Sequence, residues 1–338
     1  MINYVYQLVS PHCISVKYED VNINNDVIIR PKYMSLCHAD QRYYLGKRDL
    51  KTLNEKLPMA LIHECCGEVL HDNTNTFKKG EIVVLIPNNP QRHQPHIYEN
   101  YDETSLFSSS TQDGFMREFV NLPAQRVVSV GSNIPTKCAS ICELVSVAMH
   151  AVTRMELTAH KVKDTFAIWG DGSVAYIVAC ILKEKYPKSE LVVIGKNPNK
   201  LSQFSFVNRT YITHNLPDKL KFDHAFECVG GEGSNSAIDE IIANISPQGT
   251  IALLGVSENR VPINTRLVLE KGLTLLGCSR SGREDFISAI EFMNNPKSMR
   301  RLSSIIFETA PVYNITDIHN AFATDLTTPF KTVFKWNL

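Results

Sequence analysis

Three short segments in the first half of the chain carry side chains that bind metal ions. They are Cys37-His38-Ala39-Asp40, His63-Glu64-Cys65-Cys66-Gly67-Glu68-Val69, and Glu143 within Cys138-Ala-Ser-Ile-Cys142-Glu143. A thiolate, an imidazole and a carboxylate make a zinc shell, and a catalytic zinc keeps one position open for water or substrate. Each residue also has an ordinary structural reading. Cys37 and Cys142 suit core thiols, and Glu143 suits a carboxylate at a helix N-terminus. Spacing alone does not join the three segments.

A second chemistry-bearing segment is Phe166-Ala-Ile-Trp-Gly170-Asp-Gly172-Ser173-Val174-Ala175. It reads as a strand, a G-x-G-x-x-A turn and a helix. Gly170 makes the tight turn, Gly172 lets the backbone approach a pyrophosphate, and Ala175 allows close helix–strand packing. The next strand, Val192-Val193-Ile194, runs into Gly195-Lys196-Asn197, with Lys200 one turn on. NAD-binding folds usually place a carboxylate there for the adenosine ribose. Here two ammonium groups stand instead, which favours NADP(H) over the reading of both lysines as solvated surface groups.

The elements that must hold these residues fall into three textures. Residues 1 to about 140 show short alternating segments, such as Val27-Ile28-Ile29 and Glu81 to Ile86, broken by Pro, Asn and Gly. From about 145 to 284, apolar strands at Phe166–Trp169, Leu191–Ile194, His224–Glu227 and Thr250–Leu254 alternate with helical patterns, which predicts βαβ units and a parallel sheet. The remainder predicts helices over Asp285–Asn294 and near Ile315–Thr324, then a closing strand, Lys331–Trp336. Residues 87 to 113 read as a polar surface loop. Its His93-x-x-His96 pair suits metal by type, but two exposed histidines on a loop more often bind nothing.

Lysine plus arginine and aspartate plus glutamate both number 35, so the formal net charge is zero. This excludes the basic excess expected of a nucleic-acid binder or an anionic-membrane binder. The start of the chain lacks the pattern of a signal peptide, and the apolar run Phe166–Leu182 is interrupted by Gly170, Asp171 and Gly172, against a membrane span. Nine cysteines without regular spacing read as reduced thiols, in keeping with a cytoplasmic enzyme.

Taken in order, Cys37-His38-x-Asp40, His63-Glu64-x-x-Gly67-x-Val69, the Gly170–Ala175 turn, Phe226-Glu227-Cys228-Val229-Gly230-Gly231, Pro247-Gln-Gly249-Thr-Ile251 and Gly255-Val256 resemble the zinc medium-chain dehydrogenases along the whole chain. Within that family the chain looks most similar to the ribulose-5-phosphate reductases (ribitol-5-phosphate dehydrogenases). The segments that suggest this are Cys37-His-Ala-Asp-Gln-Arg-Tyr-Tyr44, Phe222 to Cys228, Ser279-Arg-Ser-Gly-Arg283, Ala323-Thr-Asp-Leu326 and Phe330 to Trp336. The resemblance implies an α/β architecture: a GroES-like, mostly β catalytic domain from residues 1–145 and 285–338, and a doubly wound parallel-sheet (Rossmann) domain from 146–284. It implies one catalytic zinc on Cys37, His63 and Glu143, with Glu64 as an adjacent or exchanging ligand. It also implies NADP(H) at Gly170, Gly172, Ser173, Val174, Ala175, Lys196, Lys200, Cys228 and Gly255.

The implied reaction is NADPH-dependent reduction of D-ribulose 5-phosphate to D-ribitol 5-phosphate, supplying CDP-ribitol for teichoic acid or capsule. A functional pairing with a ribitol-5-phosphate cytidylyltransferase and a homodimer formed near Leu273–Leu276 go with that reading. A polyol or sugar dehydrogenase acting on an unphosphorylated substrate is the alternative. Two features depart from many relatives. No cysteine lies between residues 87 and 113, so no structural zinc is expected, and Ala39 stands where a relay hydroxyl is common. Proton delivery then falls to water, Glu64 or His38, and His38 has a second reading as a contact of the cofactor pyrophosphate. A phosphorylated substrate needs cations, and Arg42, beside Tyr43, together with Arg280 and Arg283 are the candidates.

Overall fold

The computed structural model describes residues 2–21, 26–92, 94–213, 215–218 and 220–338. Two units make up the chain: 1–146 with 281–338, and 147–280. Residues 281–284, read from the sequence with the dinucleotide-binding stretch, therefore belong to the first unit. There Ser281 Oγ lies 2.7 Å from Ser146 Oγ, and the Arg283 N–H donates to Glu99 at 2.6 Å.

The first unit is mostly β. Its main sheet places Val27–Ser35 between Glu64–Asp72 and Lys331–Lys335, both antiparallel to it. Pro31 sits inside Val27–Ser35. It has no N–H for the ladder, and the register shifts between Pro31 and Tyr33. Beyond that bulge Ser35 pairs with both Glu64 and Val333. The register therefore ends three strands near one another, with Cys37 just past the first, His63 just before the second, and Lys331 at the head of the third. Alternate apolar side chains such as Val27, Ile29, Met34, Val69, Val83 and Phe334 fill the core beneath.

The segment just before His63 is tightly determined. Ile62 adopts φ +71°, a backbone conformation costly for a β-branched residue. Its N–H donates to Asp40 Oδ1 at 3.0 Å, and its carbonyl accepts from the Phe115 N–H at 2.7 Å. Gly114 lies against the same stretch, where any β-carbon would collide with the carbonyl oxygens of Leu61 and Ile62.

The second unit holds a six-stranded, all-parallel sheet in the order Arg209–Ile212, Glu190–Gly195, Thr165–Trp169, Phe222–Glu227, Ile245–Leu253, Thr274–Gly277. With these six strands numbered in chain order the sheet reads 3-2-1-4-5-6, the doubly wound order that binds dinucleotides at its switch point. Val192, Ile194, Ala225, Ile241 and Ile251 are buried in its core. Of the two edge strands, the one near Leu273–Leu276 is marked in the sequence and runs Thr274–Gly277, whereas Arg209–Ile212 goes unread because Arg209-Thr-Tyr-Ile is largely exposed. The helix Pro296–Ser304 also goes unread, since its sequence, Pro-Lys-Ser-Met-Arg-Arg-Leu-Ser-Ser, has one buried aliphatic residue, Leu302. No helix among the described residues is long and apolar enough to cross a membrane.

Gly114→Ala should destabilise the protein by about 1–3 kcal/mol in denaturant unfolding, because two backbone carbonyls must move. Gly277→Ala, where an added β-carbon meets nothing within 4 Å, serves as the control and should stay within about 0.5 kcal/mol of the parent.

Candidate active site

Cys37 precedes the helix His38–Tyr44 and Asp40 is that helix's third residue, so one turn presents a thiol and a carboxylate together. Asp40 is completely buried. Its Oδ1 accepts from the Ile62 N–H at 3.0 Å and from Ser109 Oγ at 2.6 Å. Its Oδ2 accepts from the Cys37 N–H at 3.3 Å and lies 3.5 Å from His63 Nδ1. Burial by itself would raise the Asp40 pKa, but His63, Ser109 and the Ile62 amide outweigh it and hold the carboxyl below its usual range. Asp40 is thus an orienting group, fixing the ring of His63 and leaving Nε2 for a ligand.

Two overlapping donor groups converge on His63. The ligand atoms of Cys37, Asp40 and His63 lie within 4.8 Å of one another, as do those of His63, Glu64 and Glu143. Glu143 sits in the first turn of the helix Cys142–Thr158, while Cys142 beside it is fully buried and its thiol is pushed far up by burial. The structure thus brings Glu143 together with His63 and Glu64, and leaves Cys142 as a core thiol. All nine cysteines are free. His93 lies outside the described residues, and His96 is exposed.

The residue that sequence reasoning missed is Lys331. It is 4% exposed and donates to Glu64 Oε1 and to the Leu36 carbonyl, both at 2.7 Å. Burial pulls its pKa down, yet Glu64 and Cys37 more than compensate and hold it above the usual lysine value. Nothing local marks Lys331, which comes 267 residues after Glu64. The other Glu64 oxygen, Oε2, is buried with no hydrogen-bond partner among the described residues. Burial, with Glu64 alongside, lifts the Glu143 pKa to about 7 even though His63 and Lys331 oppose it. A half-buried thiol beside a buried imidazole and two buried carboxylates, one of them with an unpartnered oxygen, fits a divalent cation of borderline softness, and zinc matches that donor set.

In the second unit Gly170 has φ +127°, and a β-carbon there would lie 2.8 Å from the Cys228 carbonyl oxygen. Gly172 opens the helix Ser173–Lys185 with free space before it, and Ala175 is fully buried against the sheet. Ser173 and Val174 are half-buried in the first turn, while Lys196 is exposed and Lys200 half-buried. Glu227, which the sequence does not single out, knits the turns beside them. Its carboxylate accepts from the N–H groups of Val229, Gly230 and Gly255 at 2.8, 3.1 and 3.0 Å, which leaves no room for a side chain at Gly255.

The candidate substrate cations fare differently. Arg283 Nη1 donates to the carbonyls of Gln125 and Val127 at 2.8 and 2.7 Å, and burial lowers its pKa. Through Nη1 its guanidinium braces the first unit. Tyr43 is buried, with the Arg48 guanidinium 4.9 Å over its ring, so it packs in the core. Arg42 is half-buried in the last turn of the same helix, His38 is exposed at the helix start, and Arg280 closes the second unit with φ +57°.

A β-rich unit with a buried imidazole–carboxylate centre beside the Cys37 thiol, joined to a doubly wound parallel sheet with a glycine turn, defines a metal-dependent dehydrogenase. The family model "Alcohol dehydrogenase GroES-like domain" matches residues 23–132, and "Zinc-binding dehydrogenase" matches residues 190–295. The chain is 53% identical to a ribulose-5-phosphate reductase of Streptococcus pneumoniae, covering 100% of this chain and 98% of the relative, and 50% identical to one of Staphylococcus aureus, covering 99% of each. The crystal structure of S. aureus TarJ in complex with NADPH superposes with a TM-score of 0.89 at 46% identity, covering all of both chains. The chain belongs to the ribulose-5-phosphate reductase family of zinc-binding dehydrogenases.

Two outcomes test the charge balance of this centre. Because its folded pKa of about 7 lies above the usual 4.5, Glu143 contributes most stability below pH 4.5 and loses it as pH rises through 7. Metal-free Glu143→Gln should therefore overtake the metal-free parent above neutrality, by on the order of 3 kcal/mol, with the order reversed once zinc is bound. Lys331→Met should cost the metal-free protein about 3–5 kcal/mol by stranding the Glu64 charge, and Glu64→Gln in the same chain should recover most of it. Thermal unfolding across pH measures both.

Proposed function

We propose that this chain reduces D-ribulose 5-phosphate to D-ribitol 5-phosphate with NADPH. The observation that carries the reading is the buried donor set around His63, in a chain half identical over its full length to reductases named for that substrate. Cys37, His63 and Glu143 hold the zinc, and Glu64 stands beside it. Zinc bound there supplies a Lewis acid for a carbonyl oxygen. Asp40 keeps His63 in one ring orientation, and Lys331 holds Glu64 by one oxygen. The burial of His63, Glu64 and Glu143 excludes bulk water, which strengthens every charge interaction at the reacting carbon.

Hydride passes from NADPH to C2 of the ketose and a proton joins the oxygen, giving the polyol phosphate and NADP+. Ala39 has no hydroxyl to relay that proton. Glu64 is dry and ion-paired, whereas His38 is solvent-exposed and adjacent to Cys37, so we assign proton exchange with solvent to His38. The second unit carries NADPH, with Gly170, Gly172 and the start of the helix Ser173–Lys185 at the pyrophosphate and Lys196, aided by Lys200, at the 2′-phosphate. Cys228 and Gly255 line the same turns. We assign the substrate phosphate to Arg42, on the helix that Cys37 precedes. A homodimer built on the open edge of Thr274–Gly277, a cytoplasmic location, and transfer of the product to a cytidylyltransferase that supplies CDP-ribitol for wall polymer or capsule complete the reading.

NADPH oxidation by the zinc-loaded enzyme tests it directly. D-ribulose 5-phosphate should exceed D-ribulose and D-xylulose in kcat/KM by at least about tenfold to hundredfold, the worth of one charged hydrogen bond. Arg42→Ala should remove most of that margin through KM while scarcely changing the unphosphorylated ketoses. Metal analysis should give about one zinc per chain, and Cys37→Ser should abolish turnover yet leave NADPH binding. Equal rates on both classes of ketose would favour the sugar or polyol dehydrogenase reading instead.

A further inference from the structure

One side chain joins the glycine turn of the second unit to the turn that follows the strand Glu190–Gly195. Asp171 Oδ2 accepts from the backbone N–H groups of both Lys196 and Asn197, at 2.8 and 2.7 Å. The fit is specific to the residue opposite. A β-carbon on Gly195 would lie 2.6 Å from Asp171 Cβ and 2.8 Å from Oδ2, so the missing side chain at 195 is what admits the carboxylate. The bracing continues along the loop, where Asn197 Oδ1 accepts from the N–H groups of Asn199 and Lys200 at 3.0 and 3.3 Å.

Where NAD-binding folds carry a carboxylate on this strand end to accept from the ribose, here a carboxylate arrives from the facing turn and its Oδ2 is occupied by two amides. Hydrogen-bonded by those amides, it is partly neutralised, and the loop it grips is the one that presents Lys196 to solvent. We propose that Asp171 is a positioning residue for coenzyme selection: by clamping the Gly195–Asn197 turn it sets Lys196 at the ribose 2′ position, and preference for NADPH over NADH depends on that clamp. The inference rests on the reading of NADPH as reductant and Lys196 as the 2′-phosphate partner.

The test is equilibrium binding of NADPH and NADH to the zinc-loaded, full-length enzyme, followed by nucleotide fluorescence, with steady-state kinetics alongside. Asp171→Ala should weaken NADPH about tenfold and NADH less than about threefold, and the kinetic loss should fall in KM for NADPH more than in kcat. Asp171→Asn, which keeps an amide oxygen as acceptor, should restore most of the discrimination. Gly195→Ala should reproduce the loss by displacing the same carboxylate, and combining it with Asp171→Ala should add little. An unchanged NADPH-to-NADH ratio in Asp171→Ala and Gly195→Ala, or a tighter NADPH complex in either, overturns the clamp while leaving the coenzyme reading intact. A parent enzyme that binds NADH as tightly as NADPH, or a Lys196→Ala variant with an unaltered ratio, defeats the coenzyme reading itself and the clamp with it.

Discussion

The carboxylate of Asp40 is the interaction on which the first unit's chemistry depends. A fully buried charge in protein survives only when hydrogen bonds and an opposite charge replace the water it has lost. Asp40 meets that demand with the amides of Cys37 and Ile62, the Ser109 hydroxyl and the His63 ring. The partners come from three stretches of chain, at Cys37, at Ile62–His63 and at Ser109, so satisfying one buried charge fixes the helix start at Cys37, the strained backbone at Ile62 and the orientation of a metal-binding imidazole together. The strain at Ile62 persists because Asp40 and Phe115 hold both of its backbone polar groups.

Charge balance governs what this arrangement can bind. Three carboxylates (Asp40, Glu64 and Glu143) and the Cys37 thiol surround His63 and one ammonium, that of Lys331. That excess is unfavourable in a dry pocket, as the raised Glu143 pKa and the unpartnered Glu64 oxygen record. A divalent cation relieves both at once. Lys331 occupies one Glu64 oxygen and leaves the other, so Glu64 stays close to the metal position without being committed to it.

The second unit uses carboxylates in a related way. Glu227 gathers the amides of Val229, Gly230 and Gly255, and Asp171 gathers those of Lys196 and Asn197. In each case a glycine supplies the room, Gly255 for Glu227 and Gly195 for Asp171. These glycines serve close approach by a side chain, whereas Gly170 is required by its own backbone angle and by the Cys228 carbonyl behind it. Turns at the carboxyl ends of parallel strands, where a dinucleotide binds, thereby become rigid before any ligand arrives.

The residues themselves determined a good deal. βαβ spacing marked most strands of the second unit and alternation a few of the first, the Gly170–Ala175 turn followed from local backbone requirements, and ligand types at Cys37, His63, Glu64 and Glu143 are chemical facts of the chain. Such signals are local, reaching a few residues along a strand or helix. What needed the tertiary structure is contact between distant segments. The bulge at Pro31 sets a register in which Ser35 faces Glu64 and Val333, and only then do Cys37, His63 and Lys331 become neighbours. Lys331 looks like any strand-end lysine until Glu64 is beside it. Arg283 does not show in the sequence that its Nη1 braces the carbonyls of Gln125 and Val127, and Asp171 looks like a filler between two glycines until Lys196 and Asn197 turn their amides towards it. Hydrogen bonding and ion pairing depend on distances that no local pattern encodes, so these roles were decided by the fold.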